Sequence, residues 1–162
     1  MTRNFQDVSA SGLPLFSVSN WVPKDTDYTG EERDGLEGGK KPKIIVVDDE
    51  ALIAETVVEI LNQEGFAAIS APSGSSAIEL AKTVRPSIIL SDVIMPGLNG
   101  IEMGIKIREI VPTCRVILFS GQAATVDLLE RARQQGHRFE ILAKPIRPEY
   151  LIHVVRSSLP SQ

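Results

Sequence analysis

The sequence predicts an α/β fold, a doubly wound five-stranded parallel sheet with helices on both faces. Three observations predict it. From Lys43 onward, short aliphatic runs alternate with longer amphipathic stretches, five times over. The runs are nearly continuous rather than alternating in polarity, as expected of strands covered on both faces. Residues that cap or break helices stand at the changes of pattern.

The elements follow in order. The first strand is residues 43–47, and a helix over 51–64 places Leu52, Ile53, Thr56, Val57, Ile60 and Leu61 on one face until Gly65 stops it. A strand over 66–71 leads to a second helix with Ser73 as N-cap, repeating Ala77, Ile78, Leu80, Ala81 and Val84 before Pro86. The third strand, 87–91, precedes a helix that starts at Asn99. Inside that helix Gly104 costs about 1 kcal/mol against alanine, and the alternation of Ile101, Met103, Ile105 and Ile107 leaves one or two isoleucines to be exposed. A strand over 115–119 is followed by a helix carrying Val126, Leu128, Leu129 and Ala132, which ends at Gly136. The last strand is 139–142, and the last helix follows Pro148 with Leu151, Ile152, Val154 and Val155.

Residues 1–42 differ. Glycines and prolines recur there, acids cluster over 25–37, and no hydrophobic period persists, so this stretch reads as a flexible N-terminal extension. Trp21, with Leu13, Leu15, Phe16 and Val22, reads as a partly collapsed part of it. The folded domain spans 43–159, and 160–162 form a short tail. With only a few residues after the last helix, no second domain is expected to bind DNA.

Composition narrows the class. A net charge of −4 supplies no basic surplus for holding nucleic acid by general electrostatics. No apolar run is long enough to span a bilayer and the N-terminus lacks a signal-peptide pattern, so no membrane partner is expected. Cys114 is the single cysteine, which fits a reducing cytoplasm, and it is expected to pack near the start of the fourth strand. His137 and His153 lie away from the strand ends and read as solvated surface groups.

In such sheets the functional crevice lies beyond the carboxyl ends of the strands. Strand one ends in Asp48, Asp49 and Glu50, strand three in Asp92 and strand four in Ser120, while Lys144 and Pro145 follow strand five. Carboxylates gathered on one rim repel, and a hard divalent cation relieves that repulsion. Mg²⁺ typically takes one or two carboxylates plus water and phosphate oxygens. Asp49 and Asp92 are the expected direct ligands, Asp48 acts through water, and the backbone carbonyl of Ile94 adds an oxygen. Asp92 is then a ready nucleophile for a phosphoryl group, needing no general base, with Lys144 and the Ser120 hydroxyl contacting its oxygens. Substituting Asp49→Asn is expected to stabilise the metal-free fold and to weaken Mg²⁺ binding.

The segments KIIVVDDE (43–50), SIILSDVIMPGLNG (87–100), VILFSG (116–121) and ILAKP (141–145) resemble the receiver domain of two-component response regulators. The resemblance covers about residues 43–158 and implies a flavodoxin-like sheet of strand order 2-1-3-4-5. It implies Mg²⁺-dependent phosphorylation of Asp92 by a sensor histidine kinase or phosphotransfer protein. Ser120 and Lys144 are then expected to reorient, with a cis Lys144–Pro145 peptide aiming the lysine. Output is expected through contact with an effector protein across the fourth helix, fifth strand and fifth helix. The chain is thus expected to be a cytoplasmic signalling domain rather than an enzyme.

Three positions depart from the family pattern. Ile141 stands where receivers often carry an aromatic switch residue, and Phe139 shares its strand face but lies further from the site. Gly121 replaces a common alanine, giving the loop extra backbone freedom. Ile94 and Gln122 stand where the family tunes water attack on the phosphoaspartate, and an apolar Ile94 favours slow loss of phosphate. Two other functions fit parts of the pattern: a receiver working without phosphate, and an aspartate-nucleophile phosphatase of the haloacid dehalogenase type. The latter carries Asp-x-Asp after its first strand, where this chain has adjacent aspartates.

Overall fold

The structure is a computed structural model, and it describes residues 39–121 and 125–160. The expectations for the N-terminal extension, including Trp21, and for Gln122 lie outside the described residues. The larger of the two units into which the chain divides begins at Lys40.

Ten elements alternate in that unit: β1 (Lys43–Val47), α1 (Ala51–Gln63), β2 (Ala67–Ala71), α2 (Gly74–Val84), β3 (Ile88–Asp92), α3 (Gly100–Ile110), β4 (Arg115–Ser120), α4 (Thr125–Gln134), β5 (Glu140–Ala143) and α5 (Pro148–Ser158). All five strands are parallel in the order β2-β1-β3-β4-β5. The fold class and strand order are those expected.

The strand sequences explain the two-sided cover. Successive side chains of a strand point to opposite faces. Ile44 and Val46 therefore join Ile88, Leu90, Ile117, Phe119 and Leu142 under α1 and α5, with Val57, Leu61, Leu151 and Val155. Ile45, Val47 and Ile89 face the other way, against Ala77 and Ala81 of α2 and Met103 and Ile107 of α3. Val93, Val116 and Leu118 continue that layer under Ile101 and Ala132.

Local signals set the helix ends. Ser73 accepts from the Ser76 N–H at 3.1 Å and Asn99 from the Glu102 N–H at 2.9 Å, each within a reciprocal capping box. Gly65 and Gly136 adopt φ of +92° and +89°, the left-handed conformation glycine favours.

Several expectations need correction. Leu52 and Ile53 are 64% and 41% exposed, and the buried stripe runs instead through Ala54, Thr56, Val57, Ile60 and Leu61. Val126 is likewise exposed, at the start of α4. The third helix exposes neither Ile101 nor Ile107, and Ile105 is half-buried. Gly104 has a packing role: a Cβ there would stand 2.8 Å from the Phe139 ring and 3.0 Å from Val116. Phe139 thus precedes β5 and fills the space over α3, with the Arg108 guanidinium 4.2 Å from its ring centre. Cys114 is buried before β4, as expected. His153 is exposed, while His137 is half-buried.

Candidate functional site

The order of strands reverses beside β1, and the register there decides which side chains meet. Val47 pairs with Ser91, so the residues that follow, Asp48 and Asp92, emerge side by side at the switch point. Asp92 in turn pairs with Phe119, and Ser120 with Ala143, which brings Ser120 and Lys144 to the same rim. No three His, Cys, Asp or Glu side chains among the described residues close into a preformed metal cage.

Lys144 reaches across the position of β4 to Asp92. Its Nζ donates to Asp92 Oδ2 at 2.6 Å, with side chains 36% and 19% exposed. The Lys144–Pro145 peptide is cis, as the resemblance implied. Gly121 borders the lysine stem, its Cβ position lying 3.4 Å from Lys144 Cβ. Its φ is outside the left-handed region and a Cβ there would make only ordinary contact with the lysine stem, so neither backbone nor space demands glycine at this position.

Asp48 is buried, and its Oδ1 accepts from the Glu50 N–H at 2.8 Å. Burial pushes its carboxyl pKa above the usual carboxylate range, and the charges of Asp92 and Asp49 add to this. The Glu50 N–H and the Lys144 charge pull the other way. Asp49 is exposed beside it. Ile94 is 42% exposed, in the loop between β3 and α3.

The donor chemistry fits a hard divalent cation. Only oxygens are offered by the side chains of Asp48, Asp49 and Asp92, and acids outnumber the one lysine. Asp48 and Asp92 each have one oxygen engaged by a described partner, which leaves the other for a cation or water.

Among the described residues, Ser120 is hydrogen-bonded to a partner other than Asp92. Its hydroxyl is hydrogen-bonded to that of Thr125, the first residue of α4. The sequence reading missed Thr125, whose only signal was a second hydroxyl shortly after the first. It also missed Gly100, where a Cβ would overlap the Asp92 carbonyl oxygen and stand 3.1 Å from its carbon. The last glycine of the SIILSDVIMPGLNG segment thus lies against the backbone of the site.

Comparison with known proteins converges on one family. The family model of the response regulator receiver domain matches residues 44–156. The probable transcriptional regulatory protein TcrX of Mycobacterium tuberculosis is 31% identical over 121 residues, which are 75% of this chain and 51% of that protein. Sporulation initiation phosphotransferase F of Bacillus subtilis is 29% identical over 118 residues, 73% of this chain and 94% of that one. The chemotaxis protein CheY4 of Vibrio cholerae shares the fold with a TM-score of 0.66 at 24% identity, over 74% of this chain and 100% of that one. The chain spans about half the length of the regulators it matches first.

Proposed function

The chain belongs to the response regulator receiver family, and on that premise we propose that Asp92 accepts a phosphoryl group from a sensor histidine kinase or a phosphotransfer protein. The observation that carries this reading is the 2.6 Å contact between Lys144 Nζ and Asp92 Oδ2, beside the buried Asp48. A nucleophilic carboxylate and its cationic partner already stand together at the carboxyl edge of the sheet.

Asp49 and Asp92 would hold Mg²⁺ directly, with Asp48 acting through water and Ile94 giving its carbonyl. When bound, the ion supplies positive charge against the crowded carboxylates and the phosphoryl oxygens. An Asp92 oxygen attacks phosphorus, the O–P bond forms, and the bond to the donor nitrogen breaks with its electron pair leaving on that nitrogen. Lys144 then exchanges a carboxylate oxygen for a phosphoryl oxygen, staying charge-paired throughout. The Ser120 hydroxyl donates a hydrogen bond to a second phosphoryl oxygen. The exposed Ile94 offers no hydrogen bond to an attacking water, which favours a long-lived phosphoaspartate.

Output passes by contact with another protein. Val126 of α4, Ile141 of β5 and Tyr150 of α5 support this, being large apolar side chains 62%, 37% and 54% exposed.

Acetyl phosphate with Mg²⁺ tests the assignment. It should add one acid-stable, base-labile phosphoryl group, and neither the Asp92→Asn protein nor the chelated protein should acquire it. Equal labelling of Asp92→Asn would defeat the assignment.

A further inference from the structure

At the end of the sheet away from Asp92, where β4 and β5 begin, a cavity of about 480 Å³ is lined by Arg108, Arg115 and Arg138. The length of β4 separates Arg115 from Ser120, roughly 16 Å at the usual rise of a strand, so the cavity is distinct from the phosphoacceptor rim. Among the described residues, none of these arginines forms an ion pair with a carboxylate. Glu140 is the one acid in the lining, and its Oε2 accepts from the Ser158 hydroxyl at 3.3 Å.

Arg108 is held in place by its neighbours. Its guanidinium lies 4.2 Å from the centre of the Phe139 ring, and Gly104 makes room for that ring, since a Cβ there would stand 2.8 Å from it. A glycine unfavourable for α3 thus admits the aromatic face on which the cation rests. The stack covers one face of the guanidinium and leaves its N–H edges available as donors. Arg108 is also half-buried, and burial draws its pKa below the ordinary guanidinium value, with Cys114 acting the other way. A cation partly withdrawn from water and lacking a carboxylate partner gains from an arriving anion.

We propose that this cavity binds a small molecule carrying a diphosphate group. A guanidinium fork takes two oxygens of a phosphate side by side. With two oxygens to each fork, three forks engage more oxygens than one phosphate has, and a diphosphate supplies them. Thr113, also in the lining, adds a neutral hydroxyl donor. The volume lies within the range of small-molecule sites, and the exposure of Arg115 and Arg138 leaves the cavity open to solvent.

Titration of the full chain with pyrophosphate in Mg²⁺-free buffer tests this, read by calorimetry and by the arginine Nε–Hε NMR signals. Binding should saturate at one site and shift the signals of Arg108, Arg115 and Arg138. Inorganic phosphate should bind about tenfold more weakly or worse, having lost charge-assisted contacts. Arg115→Gln and Arg138→Gln stand at exposed positions that leave the core intact, and each should weaken pyrophosphate binding by about tenfold or more. Lys106→Gln removes an equal charge from an exposed position of α3 outside the lining, and should leave the affinity as it was. Lys40 lines a separate basic groove, so Lys40→Gln should behave like Lys106→Gln. Absence of saturable binding overturns the site, as does equal affinity for the two anions. A loss in either lysine variant as large as in the arginine variants overturns it too.

Discussion

Gly100 packs against the backbone of Asp92 so closely that a Cβ would overlap the Asp92 carbonyl oxygen and stand 3.2 Å from Ser91 Oγ. The Gly100 N–H also donates to the Val93 carbonyl at 2.9 Å. The start of α3 therefore serves as a wall against the backbone of Asp92.

Alanine at this position must push the Asp92 backbone away, since a carbonyl cannot rotate aside as a side-chain end can. Gly100→Ala should destabilise the fold by about 1–3 kcal/mol, the usual cost of overpacking. That corresponds to a fall of roughly 4–8 °C in Tm per kcal/mol for a small domain. Labelling of Asp92 should slow as well, because the carboxylate moves with its backbone. Thermal unfolding within a degree of wild type would mean that the wall is softer than the geometry shows.

The Lys144–Asp92 pair separates stability from chemistry. Both side chains keep solvent contact, 36% and 19% exposed, so screening leaves the ion pair worth about 0–1 kcal/mol to the fold. Lys144→Met should thus barely change Tm. A charge-assisted hydrogen bond to a phosphoryl oxygen is worth about 1.5–3 kcal/mol, so labelling by acetyl phosphate should slow roughly ten- to hundredfold. A large loss of Tm with unchanged labelling would assign the lysine a structural role instead.

The sequence showed the five β-α units because strands covered on both faces need unbroken aliphatic runs, a property written locally. The same locality made Asp48, Asp92 and Lys144 legible, since each directly follows or ends such a run. Periodicity marks an apolar face but not which of its residues a neighbouring layer covers, so Leu52 and Ile53 were assigned to the buried face although they are exposed. The start of β5 was placed one residue early for a related reason. Phe139 is apolar because it fills the gap over Gly104, not because it belongs to the sheet. The Ser120–Thr125 bond depends on how the chain returns from β4 to α4, and nothing in the spacing of two hydroxyls specifies that.

Cys114 provides a pH-dependent test of the core. Burial pushes its thiol up to about 12 against 9.0 for a free thiol, with the Arg108 charge opposing weakly. Below pH 9 the thiol is protonated in both folded and unfolded chains, and its contribution to stability is intact. As pH rises from 9 towards 12 the unfolded chain loses the proton while the folded one keeps it, so stability falls. The slope from this one group is at most about 1.4 kcal/mol per pH unit. Cys114→Ala should remove that component, which makes the difference between the two proteins the readout. At neutral pH the native thiol should resist a disulfide reagent that labels it in denaturant. Rapid native labelling, or equal alkaline losses in both proteins, would contradict the burial.

Asp48 and Asp49 are adjacent in sequence but unequal in the fold, and the difference moves a prediction by one residue. Asp49 is exposed, so neutralising it relieves little, whereas the Asp48 carboxyl is 5% exposed beside Asp92 and burial disfavours its charged form. Asparagine in place of Asp48 retains a side-chain oxygen for the Glu50 N–H, now 2.8 Å away, while removing the buried charge. In chelator, Asp48→Asn should therefore raise stability by about 0.5–2 kcal/mol, the range of single stabilising substitutions. With Mg²⁺ the ranking should narrow or reverse, because a ligand stabilises the state that binds it and the variant binds less well. Denaturant titrations of both proteins with and without Mg²⁺ decide it. An Asp48→Asn protein that is less stable in chelator, or that gains as much from Mg²⁺ as wild type does, would remove Asp48 from the metal-linked carboxylates.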